Sequence, residues 1–69
     1  MLDYLVFVIN DFNEQMTFRF REIHDALTLY CSAKHDSTVN HITVNCLEYD
    51  ESNPESFLTG HTIRYYDRD

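Results

Sequence analysis

The first twenty residues have the hydrophobic pattern of two consecutive strands. The segment from Leu2 to Ile9 is apolar on both of its alternating faces and is interrupted by Asp3, which is typical of a central strand covered on at least one side. Turn-forming residues follow at positions 10–14. From residue 16 to residue 20, Met and Phe alternate with Thr and Arg, which predicts a half-buried second strand.

After Arg21 the apolar period changes to that of a helix. Five residues share one helical face: Ile23, Ala26, Leu27, Tyr30 and Cys31. The pattern predicts a helix from Arg21 to about Lys34, with acidic residues in its first turns and a lysine in its last, as the helix dipole favours. Because Cys31 lies on the apolar face, we expect its thiol to be buried and inert.

The second half predicts two more strands. Residues 38–49 are rich in β-branched side chains, which favours a third strand. Residues 50–56 are polar and include the single proline, so they predict a loop. A fourth strand is expected at residues 57–66, with Gly60 as a candidate bulge, before a frayed tail at 67–69.

The order strand, strand, helix, strand, strand indicates an α+β fold. One helix can cover one face of one antiparallel four-stranded sheet, which gives a two-layer β-β-α-β-β domain. With 69 residues, the chain has room for a single domain, 1–69. The other sheet face is then open, and we expect it to expose Tyr49, Tyr65 and Tyr66.

Composition and charge narrow the possible partners. The chain is 43% hydrophobic and 14% aromatic, which favours a folded protein over a disordered acidic tail. Its 12 acidic and 5 basic residues give a net charge of −7, which opposes direct binding to nucleic acid or to an anionic membrane. Arg19 and Arg21 are expected to pair with Glu14, Glu22 or Asp25.

Motifs for catalysis or cofactor binding are missing from the sequence. The four histidines and two cysteines lack metal-ligand spacing, and one glycine cannot form a phosphate-binding loop. No nucleophile motif is found, and the acidic segment 50–55 departs from the calcium-loop pattern. We therefore expect no metal, no cofactor and no enzymatic activity.

The N-terminal segment and the cysteines indicate a cytoplasmic protein. The apolar run at residues 4–9 is too short to span a membrane, and Asp3 stands where a signal peptide would be basic. Cys31 and Cys46 make no disulfide framework, so two free thiols are favoured over a bridge between them.

The acidic residues are unevenly distributed, because residues 35–63 contain no Lys or Arg. Glu48 and Asp50 are two apart on a strand, which predicts a shared face and a separation of roughly 6–7 Å, comparable with neighbouring phosphates. The candidate partner-binding residues are the acids of this half and the neighbouring tyrosines: Glu48, Asp50, Glu51, Glu55, Asp36, Asp67, Asp69, Tyr49, Tyr65 and Tyr66.

The chain resembles the small acidic early proteins of bacteriophages that inhibit host machinery. The resemblance is one of size, charge and layout over the whole length, and it involves no shared motif. Several of these early proteins are DNA mimics. The resemblance implies a non-enzymatic inhibitor, in the host cytoplasm, whose carboxylates occupy the DNA-binding surface of a basic protein. Such targets include a nucleoid-associated protein of the HU type, a restriction or CRISPR nuclease, and RNA polymerase. The alternative is a small interaction domain or homodimeric subunit whose charge serves solubility.

Overall fold

The computed structural model describes residues 2–50 and 52–68, with the backbone alone for residues 54–58. Its elements are β1 (Leu2–Asn10), β2 (Gln15–Phe20), α1 (Ile23–Lys34), β3 (Val39–Asp50) and β4 (Asn53–Asp67). The strands form one antiparallel sheet in the order β2-β1-β3-β4. The predicted α+β fold, with the helix between the second and third strands, is confirmed.

A compact turn joins β1 to β2. The Asn10 N–H donates to the Glu14 carbonyl at 3.1 Å, and Asn13 takes up the left-handed conformation with φ 62°. Asparagine tolerates this conformation better than most residues. The Asn10 side-chain oxygen also accepts from the N–H groups of Phe12 and Glu14, so the turn is fixed from within.

The core lies between α1 and the two central strands. Among the described residues, six hydrophobic side chains are buried: Val6, Val8, Ala26, Val39, Ile42 and Val44. Val6 is opposite Val44 in the register of β1 and β3, and Val8 is opposite Ile42. These cross-strand pairs present one continuous apolar surface to the helix.

The helix turns a different face to the sheet from the one that the sequence pattern predicts. Ala26 is fully buried, and Leu29, Tyr30 and Ala33 pack against the core. Cys31 is exposed, so the expectation of a buried thiol is wrong. The small side chains of Ala26 and Ala33 allow close approach to the sheet, and this rotates Cys31 toward solvent.

The fourth strand is longer than predicted. It begins at Asn53, so residues 53–56, predicted as loop, belong to β4. Gly60 lies in regular register opposite Leu47, between the register shift at Val44/Asn45 and the one at Glu48/Tyr49. A Cβ at this position would lie 2.7 Å from Leu47 Cδ2, so a larger residue would require the Leu47 side chain to move.

An ion pair between a buried carboxylate and a half-exposed arginine lies on the sheet face that the helix does not cover. Asp3 is only 2% exposed, and Arg19 Nε donates to its Oδ2 at 2.5 Å. Arg19 also lies over the Tyr49 ring, 4.7 Å from its centroid. The expected pairing of Arg19 with the turn or helix acids is therefore wrong. Asp3 Oδ1 has no hydrogen-bond partner and is buried.

Removing one partner of this pair should cost far more than replacing both. We expect Arg19→Met to lower the free energy of unfolding by about 2–3 kcal/mol, because it leaves the Asp3 carboxylate buried and uncompensated. The double variant Asp3→Leu/Arg19→Met should return to within about 1 kcal/mol of the starting protein. Urea unfolding followed by circular dichroism measures both values.

The matched control is Arg21→Met, which removes the same charge just beyond β2 and should change stability by less than about 0.5 kcal/mol. If Arg19→Met and the double variant lose the same free energy of unfolding, the Asp3 carboxylate does not need Arg19 to compensate its buried charge, and the prediction is wrong.

Candidate acidic binding surface

The described acidic side chains gather at the two ends of the sheet. β2 ends where β1 begins, so the helix starts at the end of the sheet where β3 finishes. We call this the Asp50 end, and its acids are Glu22, Asp25, Glu48 and Asp50. The opposite end, the Asp36 end, contains the β1–β2 turn, the α1–β3 connection and the end of β4. Its acids are Asp11, Glu14, Asp36 and Asp67.

The two ends are separated by the length of β3. Val39 to Asp50 is a twelve-residue strand, and at 3.3 Å per residue its ends are roughly 35 Å apart. The longest dimension of the molecule is 41 Å. Those candidate acids whose side chains the structure describes therefore form two groups, one at each end, and not a single cluster.

Arg68 connects three segments at the Asp36 end. Its guanidinium forms an ion pair with Asp11, and its Nη1 also donates to the Ser37 carbonyl at 2.7 Å. Its N–H donates to the Asn40 carbonyl at 2.9 Å. The hydrogen bond from Arg68 lowers the pKa of the Asp11 carboxyl. The β1–β2 turn, the start of β3 and the end of β4 are thus held together.

Asp36 is held by its own backbone. Its Oδ1 accepts from the Thr38 N–H at 2.9 Å and from the Thr38 hydroxyl at 2.8 Å. These two bonds, the backbone one first, lower the pKa of Asp36. The carboxylate is consequently ionised at neutral pH and restricted in its orientation.

Asp50 repeats the same motif at the other end. Its Oδ1 accepts from the Ser52 N–H at 2.9 Å and from the Ser52 hydroxyl at 2.7 Å. Here the hydroxyl bond is the larger cause of a lowered pKa. Register shifts on both sides of Tyr49 interrupt the alternation that was expected to give Glu48 and Asp50 a shared face.

The three candidate tyrosines lie on different faces. Tyr65 lies on the open face with its ring 5.2 Å from that of His41, and its hydroxyl donates to Asp67. That bond raises the pKa of the Tyr65 hydroxyl. Tyr49 is on the same face, under Arg19. Tyr66 packs against the core beneath the helix, with Lys34 over its ring, so its expected place on the open face is wrong.

Three of the predicted acids cannot be placed in this geometry. Glu51 and Asp69 lie outside the described residues, and the side chain of Glu55 is not described.

Phe12 is a candidate contact residue that the sequence reasoning missed. Its side chain is 73% exposed at the tip of the β1–β2 turn, next to Asp11. The bond from its N–H to Asn10 fixes the backbone there. The sequence does contain a signal for it: Phe12 is a single aromatic residue within an otherwise polar turn, and forming the turn does not require an aromatic side chain.

Metal ligands, cysteines and membrane-spanning helices can be assessed in the part of the chain that is described. No three His, Cys, Asp or Glu side chains there are grouped as metal ligands. Both cysteines are free. The helix is not long and apolar enough to cross a membrane.

No known protein family, curated protein or solved structure matches this chain.

The two Asx turns should respond differently to loss of a hydroxyl. We expect Ser52→Ala to raise the pKa of Asp50 more than Thr38→Val raises that of Asp36, since the hydroxyl bond dominates at Asp50 and the backbone bond at Asp36. Carboxyl carbon chemical shifts followed by NMR against pH measure both values.

The change in the Asp50 pKa should also change the free energy of unfolding, in a direction that depends on pH. A carboxyl with a lowered folded-state pKa stabilises the protein above its unfolded pKa, and this contribution disappears as pH falls through the folded value. Ser52→Ala should thus destabilise the protein at neutral pH and have no effect through Asp50 at strongly acidic pH. An unchanged Asp50 pKa in this variant would contradict the assigned hydrogen bond.

Proposed function

We propose that this protein is a non-enzymatic inhibitor that binds a basic, DNA-binding protein and competes with its DNA. The observation that carries the proposal is the pair of acidic ends, roughly 35 Å apart on one sheet. One turn of duplex DNA spans about 34–36 Å. Some DNA-binding proteins have basic residues that contact phosphates one helical turn of DNA apart. Such a protein would find negatively charged side chains at a similar spacing on this chain.

Preorganised charge supports this use of the surface. Asp36 and Asp50 are oriented by bonds within their own turns, so ordering them on binding costs little side-chain entropy. Their lowered pKa values keep both ionised over the physiological range. Residues 39–50, the strand that joins the two ends, contain two acidic side chains and no Lys or Arg.

Apolar contacts adjoin the charge at the Asp36 end. Phe12 is exposed beside Asp11, and Tyr65 is exposed beside Asp67. Aromatic side chains supply much of the binding energy in protein interfaces, whereas exposed charges mainly steer association and set specificity. We therefore place the principal anchors at the Asp36 end and an additional electrostatic contact at the Asp50 end.

The test is displacement of a labelled DNA duplex from basic DNA-binding proteins. The panel consists of an HU-type nucleoid protein, a restriction nuclease, a CRISPR nuclease and RNA polymerase. We expect the protein to displace duplex from at least one of them, and the displacement to weaken by about tenfold between 50 and 200 mM salt because screening reduces exposed charge pairing. No displacement from any member would refute the proposal for these targets.

Charge-neutral variants test the residues. Asp36→Asn and Asp50→Asn keep the capacity to form Asx turns, so they remove charge with little change in structure. Combined with Glu48→Gln and Asp67→Asn, they should weaken inhibition by at least about 30-fold, which corresponds to about 2 kcal/mol.

At the Asp50 end we assign the contact to the β3 acids Glu48 and Asp50, and not to Glu22 and Asp25 at the start of α1. The control therefore compares Glu22→Gln/Asp25→Asn with Asp50→Asn/Glu48→Gln. Both pairs remove two charges from the same end of the molecule. Equal loss in the two pairs would indicate an effect of net charge alone and would contradict the assigned residues.

A further inference from the structure

The two edges of the sheet are protected to different degrees. β4, at one edge, contains Pro54 and pairs with β3 through three register shifts. Proline and bulges are devices that prevent an edge strand from pairing with another chain. β2, at the other edge, pairs with β1 in unbroken register and contains no proline. The β2 edge is thus the one suited to accept another strand.

Apolar side chains beside β2 are left uncovered by the helix. Met16 and Phe18 are opposite Val8 and Val6, so they lie on the helix side of the sheet. Each is nevertheless 39% exposed, and Ile23 in the first turn of α1 is 45% exposed. Met16 and Phe18, two residues apart on one face of β2, form an apolar strip along the edge whose backbone is open.

The hydrogen-bond alternation identifies the free backbone groups of β2. The bond from Asn10 N–H to the Glu14 carbonyl starts the ladder, so even-numbered residues of β2 bond to β1. By the same alternation, Gln15, Thr17 and Arg19 direct their N–H and C=O groups away from β1. These are the groups that an added strand would use.

The side chains of β2 pair favourably with those of a second copy of the same strand. In an antiparallel pair with Thr17 on the two-fold axis, the apolar Met16 is opposite the apolar Phe18 of the second copy, and the polar Gln15 is opposite Arg19. Centring the pair on Phe18 would instead set Glu14 against Glu22, which like-charge repulsion disfavours.

We propose that the protein forms a two-fold homodimer by antiparallel pairing of β2 with β2 of a second copy, centred on Thr17. The pairing produces a continuous eight-stranded sheet with both helices on the same side. Met16 and Phe18 of the two copies then meet across the axis and are removed from water.

Sedimentation equilibrium of the full chain at several concentrations tests the proposal. We expect a reversible monomer–dimer equilibrium. Phe18→Lys should raise its dissociation constant at least about 30-fold by placing a charge in the apolar strip. Thr17→Pro should have a similar effect, because it removes a donor from the free edge and none from the β1–β2 ladder.

Two controls separate dimer loss from unfolding or a charge effect. Tyr65→Lys makes the same change of an exposed aromatic to lysine on the opposite edge strand, and it should leave the dimer intact. Circular dichroism should show that both β2 variants remain folded. In the dimer, amide exchange at Gln15, Thr17 and Arg19 should slow as protein concentration rises.

A monomer at all concentrations would overturn the proposal, as would a dimer that Phe18→Lys and Thr17→Pro leave unchanged. Salt distinguishes this association from the proposed inhibition. The net charge of −7 repels a second copy, so added salt should strengthen the dimer while it weakens binding to a basic partner. Failure of either proposal can therefore be recognised without the other.

Discussion

A single helix has to cover a four-stranded sheet, and this constraint determines which surfaces the molecule exposes. A helix with its side chains is about 10–12 Å wide, whereas the axes of four strands spaced about 4.8 Å apart span about 14 Å. The helix therefore covers the central strands β1 and β3. The largest fully buried side chains, Ile42, Val6 and Val44, all come from those two strands. Met16 and Phe18 on β2 are apolar like these core residues, but they lie at the margin of the helix and so remain partly exposed.

The face opposite the helix is stabilised by a different set of interactions. The Asp3–Arg19 pair, the Tyr49 ring over the guanidinium and the His41–Tyr65 contact cover part of this face with side chains from neighbouring strands. The charge of the buried Asp3 carboxylate is neutralised within the pair. The remaining acids are in the turns and at the element ends, where aspartate can accept backbone hydrogen bonds. Turn chemistry thus explains why negative charge concentrates at two ends of the sheet.

The sequence pattern predicted the element order because alternation and helical period are local properties. The pattern predicted where the helix lies along the chain but not which of its faces packs on the sheet. Leu27 and Leu29 can each belong to an apolar face, and only packing against β1 and β3 selects the face with Leu29. The start of β4 was missed because residues 53–56 are polar, while their pairing with β3 is a tertiary interaction. The Asp3–Arg19 pair joins residues sixteen apart, and no local signal marks it. The division of the acids into two ends likewise depends on register.

The two proposed associations use different parts of the surface and influence each other through charge. Antiparallel pairing of β2 would set the Asp36 end of one copy beside the Asp50 end of the other, so each end of a dimer would combine both acidic groups. Repulsion between these groups opposes dimer formation, and a basic partner bound there would relieve it. Binding and dimerisation are then linked equilibria, in which each must favour the other by the same factor. The acidic ends would then have two roles. They would bind the basic partner, and they would make dimer formation depend on whether that partner is present.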